Sequence, residues 1–344
     1  MRGTLDNVPP LDQLVLLPQG STPACNFDYL KDLFVTNQYD VIIAYLREHV
    51  LQSATLATLS PSVAADAWSC LATALQMLGD WPRACTALRA ALRHYRQDVT
   101  ITPSKAVAHA RFAHCMMKTT APRWKTIVDS ALRAEEMFRK LNMRASRLAF
   151  WNRYILAGAK HGAGMHQHAL RIGECALREP GCEATDFDRA VMLCDMAVVF
   201  WDHCASPNAA WQHWMRALNY CETDPFLVGR VGMALLALSE FDTAERVLCC
   251  ALDFYTARAG NSSSHLTDTL YTKLTAALTD ACARRVTAQQ QYVGYHICYH
   301  CELIADSTKV LACPCGGAWY CDNGHCQLVG WEQGGHAQRC TYGQ

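Results

Sequence analysis

The chain has no excess of charge of either sign, with 31 Lys and Arg against 31 Asp and Glu in 344 residues. That balance removes any general attraction toward nucleic acid or an acidic membrane surface. Long apolar runs are missing too. Leu14 to Leu17 and Met196 to Trp201 fall well short of the ~18 residues that suggest a bilayer span. Asp6, Pro9 and Pro10 interrupt the start, where a secretory signal needs an unbroken apolar stretch. A soluble protein with no membrane span and no export signal is expected.

Catalytic signatures are equally scarce. There is no His-Glu-x-x-His, no Gly-Lys-Ser/Thr phosphate loop and no Gly-x-Ser-x-Gly elbow. These absences point to a binding protein and not an enzyme. No basic cluster of about five to eight residues marks an import signal, so nucleus and cytoplasm stay equally open.

What the chain does have is cysteine, 19 in all. In a long, unsignalled chain this favours a reducing intracellular compartment over a disulfide scaffold. Seven cysteines crowd into the last 47 residues. The other twelve, including Cys70, Cys194 and Cys282, are spread among apolar helical positions where free cysteine behaves as a small core residue.

From Phe27 to about Gln290 apolar residues recur three or four apart, with little of the alternation of strands. Helices are expected at 27–52, 62–78, 81–96, 104–118, 123–141, 145–160, 165–178, 187–203, 208–220, 226–238, 241–258 and 264–289, divided by Gly, Pro, Ser and Asn/Asp. The division of the chain is then a flexible segment 1–25, a helical body 26–290 and a small C-terminal unit 291–344.

One stretch reads Trp68-x2-Leu71-Ala72-x2-Leu75, Gly79-Asp80-Trp81, Ala84-x3-Leu88-x2-Ala91. It resembles a tetratricopeptide (TPR) repeat, in which small residues sit where two antiparallel helices touch and glycine permits the tight turn. A second match runs through Gly232, Leu235, Ser239, Phe241, Ala244, Leu248 and Ala251, behind Asp224-Pro225. A third consists of Ala210, Trp214 and Ala217, and Ala210 stands 34 residues before Ala244, the period of this repeat class. Between Thr100 and Pro180 only fragments remain, at Gly164, Ala169 and Ala176. The expected body is an irregular TPR-like solenoid of helical hairpins. Such an array implies an inner helix surface that holds a peptide or a second protein, with Trp124, Trp151 and Trp211 as aromatic candidates that could equally be packing residues.

The C-terminal unit carries Cys298-x2-Cys301, Cys313-Pro314-Cys315, Tyr320-Cys321, Cys326-Gln327, Trp331 and His336-x3-Cys340. Eight sulfur and imidazole donors make two closed tetrahedral zinc sites. A segment of about 45 residues with few aliphatic side chains cannot bury enough surface to fold alone, so the metal must supply the free energy, on the order of 10 to 16 kcal/mol per structural zinc.

This order of residues resembles the MYND family of zinc fingers, over 298–340 only. The resemblance implies interleaved sites, one zinc held by Cys298, Cys301, Cys321 and Cys326 and the other by Cys313, Cys315, His336 and Cys340. Three spacings depart from the family pattern. Cys313-Pro314-Cys315 is one residue short, with Gly316 and Gly317 to relieve the strain. Cys321 and Cys326 stand one residue too far apart, which leaves His325 as an alternative to Cys326, although Gln327 and Trp331 keep their register to the cysteine. Glu332-Gln333-Gly334-Gly335 lengthens the step to His336.

MYND fingers hold short proline-containing peptides of the Pro-x-Leu-x-Pro kind, and the positions matching their peptide contacts are Gln327 and Trp331. An extended, low-entropy peptide suits an aromatic wall. Nucleic acid is disfavoured, because 291–344 holds only Lys309 and Arg339 against Glu302, Asp306, Asp322 and Glu332. Zinc-bound thiolates add further negative charge. Partner domains that accompany such fingers elsewhere are not evident: there is no Asn-His-x-Cys of the SET methyltransferase type and no His-x-Asp facial pair.

Two functional readings follow. In the first, the finger captures a proline-containing partner while the solenoid docks a second protein. In the second, the chain is a constitutive subunit of a large assembly with the finger as a folded end cap. Gly229-Arg230-x-Gly232 and Phe241-Asp-Thr-Ala244-Glu245 are similar to the TPR region of a TRAPP vesicle-tethering subunit, which fits the second. A methyltransferase-associated role is a minor third reading and needs a cofactor pocket that the sequence does not locate.

Overall fold

The computed structural model describes the backbone of residues 21–22, 25–220, 224–259 and 265–291 and of four short strands at 295–297, 304–306, 310–312 and 319–321, with side chains for 25–52, 54–220, 224–257 and 271–285. Local chemistry starts its helices. Ser60-Pro61, Thr102-Pro103 and Asp224-Pro225 place an oxygen-bearing side chain just before a proline. Those oxygens accept the N–H groups of Val63, Lys105 and Leu227. The cap satisfies a donor with no partner inside the helix, and proline at the first position has no N–H to lose.

An N-terminal ribbon of β1 (Ser21–Thr22) and β2 (Cys25–Asn26) leads into α1 (Phe27–Val35), α2 (Tyr39–Tyr45), a π-helical turn (Leu46–Val50) and α3 (Ser53–Leu56). The chain then runs through α4 (Pro61–Met77), α5 (Trp81–Tyr95), α6 (Pro103–Met117), α7 (Trp124–Lys140), α8 (Arg147–Gly162), α9 (His166–Arg178), α10 (Asp186–His203), α11 (Pro207–Leu218), α12 (Pro225–Ala237), α13 (Phe241–Ala259) and α14 (His265–Gln291). The chain falls into two compact units, Met1–Val231 and Gly232–Gln344, so that α12 spans the division. The expected helix over 27–52 is broken. Asn37, at φ 56°, enters the left-handed region that asparagine tolerates and closes α1.

Within the first unit each helix from α4 to α11 packs on the next, and α4, α6, α8 and α10 also touch in succession. The result is a row of antiparallel hairpins in which the first helix of each pair meets the first helix of the pair after it. The turns inside three of the hairpins, α4–α5, α8–α9 and α12–α13, share one geometry. Gly79 (φ 75°), Gly164 (φ 79°) and Ser239 (φ 64°) each adopt the left-handed conformation. The following N–H reaches back five residues, from Asp80 to Leu75, Met165 to Lys160 and Glu240 to Leu235.

The small residues named in the repeat pattern sit at the helix contacts. Ala72, Ala84, Ala91, Ala210, Ala244 and Ala251 are all fully buried. A Cβ on Gly232 would lie 2.7 Å from Leu248 Cγ, so only glycine lets α12 approach α13 this closely. The period differs from the expected one. First helices begin at 61, 103, 147, 186 and 225, steps of 42, 44, 39 and 39, and second helices begin at 81, 124, 166, 207 and 241, steps of 43, 42, 41 and 34. The 34-residue spacing therefore holds for the last step alone. Helices of up to 18 residues and connections of six or seven lengthen the earlier repeats, which is why the pattern fades between Thr100 and Pro180.

The scattered cysteines divide. Cys70 and Cys194 are core residues, together with Cys25, Cys85 and Cys115, whereas Cys282 is half-buried and Cys175, Cys249 and Cys250 are exposed. Burial holds the thiols of Cys25 and Cys194 protonated by raising their pKa values to about 12.

Candidate functional site

The described residues of the C-terminal region form two strand pairs. β3 (Tyr295–Ile297) pairs antiparallel with β4 (Ile304–Asp306), and β5 (Val310–Ala312) pairs with β6 (Trp319–Cys321). The aliphatic and aromatic residues of these segments suit pleated pairing. Ile297 stands opposite Ile304, and Ala312 opposite Trp319. The six residues joining each pair contain Cys298 and Cys301 in the first hairpin and Cys313 and Cys315 in the second. β3 also lies against β6, which brings the backbone of Cys321 beside the strand that leads into Cys298. Of the expected zinc ligands Cys321 alone falls in a described strand. Cys298, Cys301, Cys313, Cys315, Cys326, His336 and Cys340 lie outside the described residues, as do His325, Gln327 and Trp331. The donor set fits two structural zincs in its chemistry: seven thiols and one imidazole in short-spaced pairs on a segment with little apolar surface to bury.

In the helical stack, polar side chains link elements about one repeat apart. Arg111 on α6 is buried and donates through Nε to Gln76 Oε1 on α4 at 3.0 Å. Arg147 on α8 grips Asp188 on α10 with both ends of its guanidinium, at 2.6 and 2.8 Å. Arg153 on α8 pairs with Glu135 on α7 at 2.8 Å and with Glu179 at 3.2 Å. Tyr154 on α8 donates to Asp195 on α10, which also pairs with Arg230 on α12. Burial, and then the negative charge of Asp195, keep the Tyr154 phenol protonated. Burial alone would favour loss of the Arg230 proton, but Asp195 outweighs it and holds the guanidinium charged. Asp188, Arg153 and Arg230 each meet an opposite charge, as burial demands, whereas Arg111 is met by the amide oxygen of Gln76. This arrangement fixes the angle between neighbouring hairpins.

The aromatic candidates separate by exposure. Trp151 is 2% exposed and belongs to the core, edge-on to Phe150 and Tyr154. The Trp124 indole covers Gly162, where a Cβ would come within 2.5 Å of its ring. Trp211, 39% exposed, keeps a free face. Helix α6 offers no open face to a ligand, since Ala106 through Met117 are all buried. Residues behind the vesicle-tethering resemblance have packing duties in this chain: Arg230 neutralises Asp195 and Gly232 seats Leu248.

Three histidines that no local motif singled out also converge. His161, His166 and His203 hold their nearest ring nitrogens within 4.8 Å of one another. The His-x4-His spacing of the first pair was visible in the chain, but His203 lies 37 residues beyond His166.

No protein-family profile matches the chain, and no curated protein matches it. Among solved structures, it is similar to BtubC (BKLC) from P. vanneervenii, at 15% identity over 78% of this chain and 93% of that one, TM-score 0.43. It is similar to NprR in complex with its cognate peptide NprX, at 14% identity over 77% of each chain, TM-score 0.48. A third likeness, to the TPR2AB domain of yeast Sti1 in a complex with pHSP90, has 14% identity over 72% of this chain and 95% of that one, TM-score 0.29. Likenesses at this level assign the chain to no family, and the helical-hairpin stack stands on the contacts described above.

Proposed function

We propose that this chain is a zinc-dependent protein-binding adaptor, in which a C-terminal MYND-type finger captures a proline-containing peptide and the hairpin stack docks a second protein. The observation that carries the proposal is the placement of paired cysteines in the connections of two hairpins whose strands β3 and β6 are neighbours. One zinc is assigned to Cys298, Cys301, Cys321 and Cys326, and the other to Cys313, Cys315, His336 and Cys340. Proximity of β6 to β3 supports the first set, since Cys321 ends one strand and Cys298 follows the other. Gln327 and Trp331 supply the peptide contacts.

The test combines elemental analysis with peptide binding on the full chain. Two zinc ions per chain are expected from the finger's thiolate-rich sites. A fluorescent Pro-x-Leu-x-Pro peptide should bind the wild type and lose at least about tenfold in affinity with Trp331→Ala, a loss of about 1.4 kcal/mol. The same variant must keep its zinc. Material without zinc, or peptide capture unchanged by the substitution, would remove the finger from the account. Migration of the native protein as a stable high-mass assembly that no peptide displaces would favour the permanent-subunit reading instead.

A further inference from the structure

We propose that His161, His166 and His203 form a third metal site, separate from the finger, which takes a divalent transition-metal ion of the zinc type. The three residues occupy three helix ends. His161 lies in the last turn of α8, His166 opens α9 and His203 closes α10. The tight turn through Gly164 folds His166 back toward His161 and leaves their Nδ1 atoms 3.0 Å apart. The His166 and His203 rings stack at 4.2 Å between centroids and 10° between planes, and the His161 ring meets His203 edge-on at 4.8 Å.

Tetrahedral zinc with Zn–N bonds of about 2.0–2.1 Å places its ligand nitrogens roughly 3.3 Å apart. The present spacing, with all donor atoms inside 4.8 Å, closes to that value by ring rotation. His166 is half-buried and His203 exposed, so both rings have room to turn. Among the described residues no carboxylate or backbone carbonyl hydrogen-bonds any of the three rings. The imidazoles face one another, and the carboxylates of Asp195 and Asp202 on α10 act on His161.

The surroundings favour a cation over three mutually close imidazolium groups. The negative ends of α8 and α10 converge on the site and outnumber the one positive end, that of α9. An open hollow of about 360 Å³, lined by His166, Gln167, His203 and Cys204 among others, gives solvent access to the fourth coordination position. Bound there, the ion would clip the α8–α9 turn to the end of α10 and tie one hairpin to the next.

The experiment titrates zinc and cobalt(II) into the full chain after dialysis against a weak chelator. The wild type should take up one ion per chain more than the His203→Ala variant. That difference is independent of whether the finger holds its own ions, so failure here and failure of the finger reading are distinguishable. The extra cobalt should show d–d bands without thiolate charge transfer. His161→Ala and His166→Ala should each weaken the uptake at least about tenfold, the lower end of what loss of even an outer-shell partner costs. His168→Ala, at an exposed neighbour outside the set, should leave it unchanged. Because His203 is exposed at the end of a helix, its substitution leaves the fold intact, as matching far-UV circular dichroism would record. Equal metal uptake by the wild type and His203→Ala would overturn the proposal, as would a cobalt spectrum of the extra ion dominated by thiolate bands.

Discussion

Replacing Asp188 with alanine tests the idea that paired charges between alternate helices hold the hairpins in register. Asp188 is fully buried, and its carboxylate accepts three hydrogen bonds: Arg147 Nε at 2.6 Å, Arg147 Nη2 at 2.8 Å and the Thr185 backbone N–H at 2.9 Å. The Asp188 N–H in turn donates to the Thr185 hydroxyl, completing a capping box at the start of α10. Breaking a buried pair by removing one partner costs about 3–5 kcal/mol. The Arg147 side chain is a quarter exposed and can recover some hydration, which brings that contribution to about 2–3 kcal/mol. Loss of half the capping box adds about 0.5–1 kcal/mol. Asp188→Ala should therefore destabilise the first unit by about 3 kcal/mol, while Asp188→Asn, which can still accept the Thr185 N–H, should cost less. Urea unfolding followed by circular dichroism gives each value. A double-mutant cycle with Arg147→Ala should return a coupling of roughly 2 kcal/mol, because the two residues contact directly. A coupling near zero, or an Asp188→Ala cost below about 0.5 kcal/mol, would refute the claim that this pair holds α8 against α10.

Three further outcomes follow from two buried histidines and one close helix contact. Burial lowers the pKa of His109 to about 4 and of His114 to about 3, with nearby cationic side chains as smaller causes. Below an unfolded value of about 6.5 the unfolded chain therefore binds up to two more protons than the folded one. Stability should fall as pH drops from about 6.5 toward 4, with a slope approaching about 2.7 kcal/mol per pH unit from this pair, measurable by urea titration at successive pH values. His114 lies edge-on to Trp81, and neither ring nitrogen has a hydrogen-bond partner. His114→Leu should thus stabilise the protein by about 1 kcal/mol at neutral pH and remove one proton from that slope. Gly162→Ala should cost about 1–3 kcal/mol and shift the tryptophan emission, since its methyl group would displace the Trp124 ring; unchanged emission and thermal midpoint would contradict this packing.

Sequence by itself determined the helices, their starts and most of their turns. The 3.6-residue recurrence of apolar positions, the Ser-Pro, Thr-Pro and Asp-Pro starts, and the left-handed glycines at 79 and 164 act within a few residues, so neighbours along the chain are enough to read them. The small residues Ala72, Ala84, Ala210 and Ala244 were legible for the same reason. The break at Asn37 was not, because one asparagine can continue or end a helix. The donor-rich C-terminal segment was also plain from spacing, since the short intervals between its cysteines are read along the chain. Tertiary structure decided what depends on partners some 35 to 42 residues away: that Trp151 is core, that Arg147 reaches Asp188, that Arg230 neutralises Asp195, and that His203 joins His161 and His166. Helix lengths and connections set those meetings by rotating one hairpin against the next. A change of one residue in a helix turns a side chain by about 100°, and such an angle accumulates over the intervening repeat without leaving any pattern in the chain itself.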